Sequence, residues 1–260
     1  MISDILFSFP LIRVVYRIIL SLFVFKPPLI YIVNWLSRHK MRRVKLYNGL
    51  QFNIIVPFDQ VAILEVIGKK RYGMIKRANV IIDIGAHIGS FSCFMAYKFR
   101  DVQVYSYEPE KKNFNALQTN IKLNKLRNIM AFNLAVGEKM GKRKFYIQND
   151  NLGAHSLYVK SQEFVEVDCK SLKDIFDSNN IQKCDFLKMD CEGAEYEILY
   201  STSQEYFDRI EYITLEYHDW FLKDKHHKEL IKLLQEKGFK VEDVKVDYFK
   251  EQGIIRASKK

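Results

Sequence analysis

Glycine and proline are scarce in this sequence, and its cysteines follow no metal-binding pattern. Only 11 glycines and 5 prolines occur among 260 residues, while 48% of the residues are hydrophobic. This composition excludes a fibrous or disordered chain and is that of a globular protein with room for one α/β domain and a small appendage. The four cysteines lack the spacing of a zinc site or a disulfide framework, so we expect free thiols in a reducing compartment.

Long uninterrupted apolar runs are also missing. Residues 5–36 are strongly apolar, but three basic residues and a proline pair interrupt them. The longest uncharged runs, residues 18–25 and 27–37, are shorter than the roughly 20 apolar residues that a membrane-spanning helix needs. A signal peptide also fits poorly, because no small-residue cleavage pattern follows an unbroken apolar stretch.

Acidic residues are nearly absent from the first 50 positions. Eight Lys and Arg residues accompany Asp4 alone there, which supplies +7 of the net charge of +10. Arg13 and Arg17 lie four residues apart and therefore share a helix face amid apolar residues. This pattern is typical of a helix on an anionic membrane surface, and it equally fits a helix that packs on the protein's own core. We expect a basic apolar helical segment, residues 1–45, and a domain of residues 46–260, in a cytoplasmic protein that the segment could attach peripherally to the membrane.

Strands and helices alternate from residue 79 onward. The apolar runs predict strands at residues 79–84, 102–109, 129–136, 185–190 and 209–217. Helical spacing predicts helices at residues 89–99, 110–124, from 193, and 221–237. Two antiparallel pairs are expected, at residues 143–148 with 163–168 and at residues 239–248 with 253–257. This order predicts a doubly wound, Rossmann-like, mostly parallel α/β sheet with an antiparallel edge strand, after an N-terminal helical extension.

A glycine-containing turn follows the first strand of this alternation. Asp83, Gly85 and Gly89 end the strand and open a helix. Glycines allow a sharp turn and a close approach of a ligand, and the helix start offers unpaired amides. Glu108 ends the next strand, where a carboxylate can accept hydrogen bonds from both hydroxyls of a ribose. The turn and the acid together predict a nucleoside-containing cofactor.

The dinucleotide fingerprint and the Walker phosphate loop are both absent. The pattern G-x-G-x-x-G from Gly85 would need glycine at positions 87 and 90, where the sequence has His87 and Ser90. The spacing is G-x-x-x-G instead. S-adenosylmethionine has no pyrophosphate to bind, so this spacing suits it better than it suits NAD. A chance D-x-G turn in an α/β protein is the simpler alternative.

Four segments resemble the successive signatures of FkbM-type methyltransferases. They are DIGAHIGSFS (83–92), YEPEKKNFNAL (107–117), NLAVG (133–137) and LKMDCEGAEYEIL (187–199). They occur in the family's order and spacing over about residues 79–217. The resemblance implies a class I methyltransferase fold, S-adenosylmethionine as cofactor, and methylation of a hydroxyl on a glycan, glycolipid or related metabolite. One departure is His87, which stands where the family usually has asparagine.

The resemblance also implies which residues bind the cofactor. It assigns this role to Asp83, Gly85, Ala86, His87, Gly89 and Glu108. Asn133 and Ala135 would lie near the adenine, although ordinary packing at a strand end explains these two equally well.

Methylation of a hydroxyl requires a group that takes its proton. The candidates stand at the ends of two neighbouring strands: Asp190, Glu192, Glu216 and His218. For Glu195, in the first turn of the next helix, capping is the preferred interpretation. The loop residue His155 is a weaker candidate for a lid over the acceptor.

The sequence offers no further metal or nucleic-acid signature. Asp190, Glu192 and Glu216 have oxygen ligands suited to Mg²⁺, but no tight D-x-D cluster occurs and we predict no metal. His226 and His227 are expected to be exposed. The net charge raises an RNA methyltransferase as the alternative, yet the N-P-P-[YF] tetrad is absent and we expect no nucleic-acid partner. A non-catalytic, membrane-associated module that keeps the fold is the other alternative.

Overall fold

The computed structural model describes residues 10–27, 42–56, 58–73, 75–147, 163–219, 226–247 and 252–260. The loop that contains His155 lies outside these ranges. The helices are α1 (Pro10–Val24), α2 (Phe58–Ile63) with a π-helical turn (Leu64–Gly68) after it, α3 (Ser90–Lys98), α4 (Lys111–Leu123), α5 (Leu172–Ser178), α6 (Glu195–Ser201), α7 (Gln204–Asp208) and α8 (His227–Glu236). The strands are β1 (Arg43–Lys45), β2 (Gln51–Asn53), β3 (Val80–Ile84), β4 (Gln103–Tyr107), β5 (Ile129–Phe132), β6 (Ala135–Val136), β7 (Gly141–Ile147), β8 (Glu163–Lys170), β9 (Phe186–Met189), β10 (Tyr212–His218), β11 (Phe239–Asp247) and β12 (Gln252–Lys259).

The main sheet has the strand order β11-β12-β10-β9-β3-β4-β5. Strands β10, β9, β3, β4 and β5 are parallel, and β12 is antiparallel to both of its neighbours. Both faces of the parallel part are covered, since Ile81 packs into one core cluster and Ile82 into the other. The predicted doubly wound sheet with an antiparallel edge strand is confirmed. Its order reverses between β3 and β9, which is where open α/β sheets bind ligands.

The stretch predicted as one strand over residues 129–136 is divided between two sheets. Strand β5 joins the main sheet, whereas β6 pairs with β8 in a separate sheet of order β6-β8-β7. Asn133 lies at the break, and its amide donates hydrogen bonds to the carbonyl oxygens of Glu108 and Pro109, both at 2.9 Å. The prediction of a continuous strand is therefore wrong, because these bonds hold the chain to the end of β4 where it leaves the sheet.

Helix α1 packs on the rest of the chain through one of its faces. The α-carbon of Gly68 in the π-helical turn lies so close to α1 that an added Cβ would come within 2.9 Å of Leu20. Val24 and Phe25 belong to a core cluster, and β1 pairs with β2 just across the expected boundary at residue 45. Within the described ranges, no helix is long and apolar enough to cross a membrane.

The four cysteines are free thiols. Cys93, Cys169 and Cys184 are buried, and Cys191 is half-buried. Burial raises the pKa of Cys169 to about 11 and that of Cys184 to about 12, so these thiols stay protonated and unreactive at neutral pH.

Candidate functional site

Three strand ends meet at the carboxyl edge of the sheet. The amides of Gly85 and Ala86, just after β3, both donate to the carbonyl oxygen of Tyr107 at the end of β4, each at 3.0 Å. On the other side, the amide of Asp190 donates to the carbonyl oxygen of Ile84 at 3.0 Å. The parallel sheet thus brings three features side by side, as the sequence predicts. They are the glycine loop (residues 85–89), Glu108 after β4 and Asp190 after β9.

The loop after β3 has a left-handed backbone at three positions. The φ angles are +74° at Gly85, +52° at His87 and +85° at Gly89. An added Cβ at Gly85 would lie 1.8 Å from the carbonyl oxygen of Asp190, and one at Gly89 would lie 2.4 Å from Leu117. Gly85 is therefore required by close packing against backbone as well as by its own conformation, and at Gly89 the left-handed backbone favours glycine.

Glu108 is buried immediately after β4. Its Oε2 accepts a hydrogen bond from the amide of His87 at 2.8 Å, and its Oε1 accepts one from the amide of Glu110 at 2.9 Å. Burial raises the pKa of Glu108 to about 7, against the opposing effect of these two amides. Its carboxyl group therefore changes charge close to neutral pH.

Asp83 lies beneath the loop with its side chain fully buried. The hydroxyl of Ser92 donates to its Oδ2, and Nζ of Lys188 lies 3.1 Å from its Oδ1. Lys188 also donates to the carbonyl oxygen of Gly85 at 2.6 Å. Burial opposes the charge of Lys188, but the carboxylates of Asp83 and Asp190 outweigh this effect and raise its pKa. The carboxylate of Asp83 thus holds the loop in place through Lys188. Lys188 was not among the residues predicted for the site, although a lysine within an apolar strand is a signal for such a partner.

His87 pairs with the carboxylate of Asp59, which was not predicted to belong to the site. Asp59, in the first turn of α2, is fully buried, and its Oδ2 accepts hydrogen bonds from the amides of Ile55 and Val56 at 2.7 and 3.0 Å. Its Oδ1 lies 3.5 Å from Nε2 of His87 and has no hydrogen-bond partner among the described residues. Burial raises the pKa of Asp59 and lowers that of His87.

A phenol connects two of the predicted catalytic acids. The hydroxyl of Tyr72 donates to Oδ2 of Asp190 at 2.7 Å and lies 3.4 Å from Oε2 of Glu216. Burial and these two carboxylates raise the pKa of Tyr72 well above its usual value, so the phenol stays protonated. Arg71 donates two hydrogen bonds to Glu216, that from Nε measuring 3.0 Å. Arg71 and Tyr72 lie between the π-helical turn and Gly73, in a segment of the sequence that offered no recognisable motif.

Two further acids follow β9. Glu192 is half-buried and has a left-handed backbone with φ +52°. The carboxylate of Glu195 accepts hydrogen bonds from the amides of Cys191 and Gly193 at 2.7 and 2.8 Å. These bonds agree with capping, the interpretation preferred for Glu195.

The remaining predicted residues lie around the same edge. His218 ends β10, but its side chain is outside the described part of the structure. Asn133 is held at the end of β4 by its bonds to the backbone, and Ala135 is buried in the small sheet opposite Cys169. Proximity of Asn133 and Ala135 to an adenine stays a prediction.

The expectation that both His226 and His227 are exposed is wrong for one of them. His226 is exposed, but His227 is buried against Asp219 at the start of α8. A helix start packed against the preceding strand end cannot be recognised from two adjacent histidines alone.

The residues of this edge fit S-adenosylmethionine, which carries a ribose and an ammonium group. Glu108 offers a buried carboxylate to hydroxyl donors beside the glycine loop. Asp59 presents a buried oxygen that lacks a hydrogen-bond partner among the described residues, which suits a cation or a donor.

Comparisons with known proteins agree with this fit. The family model described as the methyltransferase FkbM domain matches residues 83–241. Methyltransferase 1 of Beauveria bassiana is 25% identical over 52% of this chain and 63% of its own length. Methyltransferase sdnD of Sordaria araneosa is 24% identical over 62% of this chain and 73% of its own. The 31-O-demethyl-FK506 methyltransferase FkbM of Streptomyces tacrolimicus is 24% identical over 66% of this chain and 76% of its own.

A solved structure has the same fold. The methyltransferase FkbM from Methylobacillus flagellatus KT superimposes with a TM-score of 0.50 and 17% identity, over 72% of this chain and 46% of that one. This chain thus spans less than two thirds of the Beauveria relative and less than half of the Methylobacillus protein. The family match covers more than half of the chain and includes the glycine loop and the ends of β4, β9 and β10. The chain therefore belongs to the FkbM family of S-adenosylmethionine-dependent methyltransferases.

Proposed function

We propose that this methyltransferase acts on a hydroxyl oxygen of a glycan, a glycolipid or a related small molecule. The observation that supports this most directly is Asp190, a half-buried carboxylate at the end of β9 beside the glycine loop. A hydroxyl becomes a good nucleophile only as it loses its proton, and a carboxylate held at the site can accept that proton. The name of the Streptomyces relative refers to an O-demethyl compound, which agrees with methyl transfer to oxygen.

The contacts of the two acids suggest different roles. Asp190 receives a hydrogen bond from Tyr72, which fixes its orientation without neutralising it, so we assign it as the base. Glu216 forms a buried ion pair with Arg71, and we assign it to positioning Tyr72 and Arg71. Glu192 and His218 end the same two strands and are the second candidates for the base. The cofactor supplies the methyl group on a positively charged sulfur.

Methyl transfer into fractionated cell material tests this function. The full chain is incubated with methyl-tritiated S-adenosylmethionine and separate lipid, glycan, RNA and protein fractions. We expect label in the lipid or glycan fraction that survives mild alkali, since a methyl ether is stable where a methyl ester is hydrolysed. Label in RNA or protein alone would contradict a glycan or lipid acceptor, and label that is only alkali-labile would contradict methylation of a hydroxyl.

Asparagine substitutions at the two ends of β9 test the base. Asp190→Asn is expected to lower transfer by about 10²–10⁴-fold with little change in S-adenosylhomocysteine affinity. Asp185→Asn is the matched control, because Asp185 precedes the same strand and its carboxylate accepts hydrogen bonds from the amides of Asn79 and Val80. Full activity of Asp190→Asn would show that Asp190 is not the base. The base would then be Glu192 or His218, according to which of Glu192→Gln and His218→Ala loses methyl transfer.

We also propose that α1 attaches the protein to an anionic membrane surface. The face of α1 that points away from the domain carries Val15, Ile19, Leu22 and Phe23, which are 48%, 50%, 39% and 74% exposed. Their spacing of four, three and one places them on one side of the helix. Exposed basic residues follow directly, at Lys26 and, across a backbone hydrogen bond from it, Lys45. Apolar residues beside positive charge suit an anionic bilayer better than a neutral protein surface.

Flotation with phosphatidylserine-containing vesicles tests the attachment. The full chain is expected to float and to be partly released by high salt, which screens the charges. The double substitution Ile19→Gln and Phe23→Gln should abolish flotation without unfolding the protein, because both side chains are exposed. Met140→Gln is the control, since Met140 is about as exposed as Phe23 but lies just before β7, outside α1. Flotation that is unchanged in the double variant would refute the proposal.

A further inference from the structure

Three metal-ligating side chains meet where β10 leads towards α8. Nδ1 of His227 lies 2.6 Å from Oδ2 of Asp219, and Nδ1 of His226 lies 3.6 Å from the same oxygen. The ligand atoms of all three side chains lie within 4.8 Å of one another. We propose that Asp219, His226 and His227 form a binding site for a divalent transition-metal ion.

The ligand set selects the class of metal. Two imidazoles and one carboxylate suit Zn²⁺, Co²⁺ and related ions, whereas Mg²⁺ and Ca²⁺ prefer oxygen ligands alone. With metal–ligand bonds of about 2.1 Å, two ligands of one tetrahedral ion stand about 3.4 Å apart. The distance of 3.6 Å from Nδ1 of His226 to Oδ2 of Asp219 is already close to this value. The distance from His227 to Asp219 must widen by less than about 1 Å as the ion replaces the shared proton, which is released to solvent.

Neighbouring groups hold the carboxylate and one imidazole in place. Oδ1 of Asp219 accepts a hydrogen bond from the amide of His227 at 3.0 Å and lies 3.4 Å from the hydroxyl of Tyr196, which leaves Oδ2 facing the histidines. The ring of His227 stacks on Tyr217 with a centroid distance of 4.2 Å and an interplanar angle of 11°. Such outer contacts orient the ligands of metal sites and fix their geometry before the ion binds.

The exposed histidine completes the set. Nδ1 of His226 accepts a hydrogen bond from the amide of Lys228 at 3.2 Å, so this nitrogen carries no proton. An imidazole binds a metal through such an unprotonated nitrogen. An ion bound at Nδ1 replaces this hydrogen bond, and the amide, in the first turn of α8, is left to solvent. Glu229, in the first turn of α8, offsets the positive end of the helix dipole that would otherwise repel a cation. Three protein ligands leave at least one coordination position open to water.

Titration of the chelator-treated full chain with Co²⁺ and Zn²⁺ tests the site. We expect one equivalent of Co²⁺ with a dissociation constant of about 1 µM or below. Its d–d absorption should appear without a thiolate-to-cobalt charge-transfer band, because the ligands are nitrogen and oxygen. Saturating Zn²⁺ should raise the melting temperature by about 5 °C.

Three variants decide between the site and a simple hydrogen bond. His226→Gln and Asp219→Asn are each expected to weaken Co²⁺ binding at least tenfold, and His226→Gln is the safer variant for folding because the side chain is exposed. His87→Gln is the matched control, since His87 also lies beside a buried carboxylate but belongs to no group of three ligands among the described residues. Failure of the wild type to bind at about 100 µM metal, a charge-transfer band, or wild-type affinity in His226→Gln would overturn the proposal.

Discussion

Glu108, a predicted cofactor-binding residue, is buried directly after β4. Its pKa is raised to about 7 because the side chain is removed from water at the end of β4. An acid with a raised pKa becomes charged only as the pH rises through that value. A ligand whose hydroxyls donate hydrogen bonds to a carboxylate should therefore bind better on the alkaline side of neutrality.

S-adenosylhomocysteine is accordingly expected to bind about tenfold more tightly at pH 8 than at pH 6, since the charged fraction of Glu108 rises by about that factor. Calorimetry at both pH values measures the difference. Glu108→Gln should weaken binding by about 1.5–3 kcal/mol at pH 8 and remove most of the pH dependence. Equal pH dependence in both proteins would show that another group titrates, and His87 would be the first to examine.

Partners of single residues were the least predictable part of the site. The position of Glu108 follows from the strand that it ends, because apolar β-branched runs identify buried strands. Asp59 and Tyr72 reach their partners only through the tertiary fold, as Tyr72 lies 118 residues from Asp190. The residues next to Asp59 and Tyr72 in the sequence do not indicate these contacts.

A buried ion pair joins the two neighbouring strands β3 and β9. Lys188 lies in the middle of β9, and Asp83 lies in β3 next to it, paired in the sheet register. Neither side chain is accessible to solvent beyond 4%. Removal of one partner leaves the other charge buried without compensation, which is more costly than removal of both.

Lys188→Met is therefore expected to destabilise the protein by about 3–5 kcal/mol, measured by urea denaturation at pH 7. Adding Asp83→Asn should recover much of this loss, because Asn has no charge and Ser92 remains as its partner. Lys173→Met, at an exposed pair with Asp177, should change stability little. A double variant that is less stable than Lys188→Met alone would mean that the pair does not act as a unit.

Strands could be predicted from the sequence where both of their faces are buried. Strands β3, β4, β9 and β10 coincide with apolar runs in the sequence, with ends displaced by at most three residues. The division of residues 129–136 was not predictable in this way. Apolar residues continue on both sides of Asn133, and the break depends on hydrogen bonds to residues about 25 positions away.

The whole molecule joins a basic N-terminal helix to a methyltransferase domain. The sequence left open whether this helix packs on the domain or faces a membrane, and α1 has a face suited to each. Leu20 and Val24 lie against the domain, while Ile19 and Phe23 point to solvent. A helix with two apolar faces cannot be assigned from periodicity alone, because periodicity does not say which face finds a partner within the chain.

The family assignment and the predicted site both require that the intact protein binds S-adenosylhomocysteine. Isothermal titration calorimetry at pH 8 should show one equivalent of S-adenosylhomocysteine bound, with the affinity lowered in Glu108→Gln. NAD should give no binding signal under the same conditions, because the glycine loop lacks the spacing of a dinucleotide site. Binding of NAD together with failure to bind S-adenosylhomocysteine would show that this edge of the sheet is not an S-adenosylmethionine site.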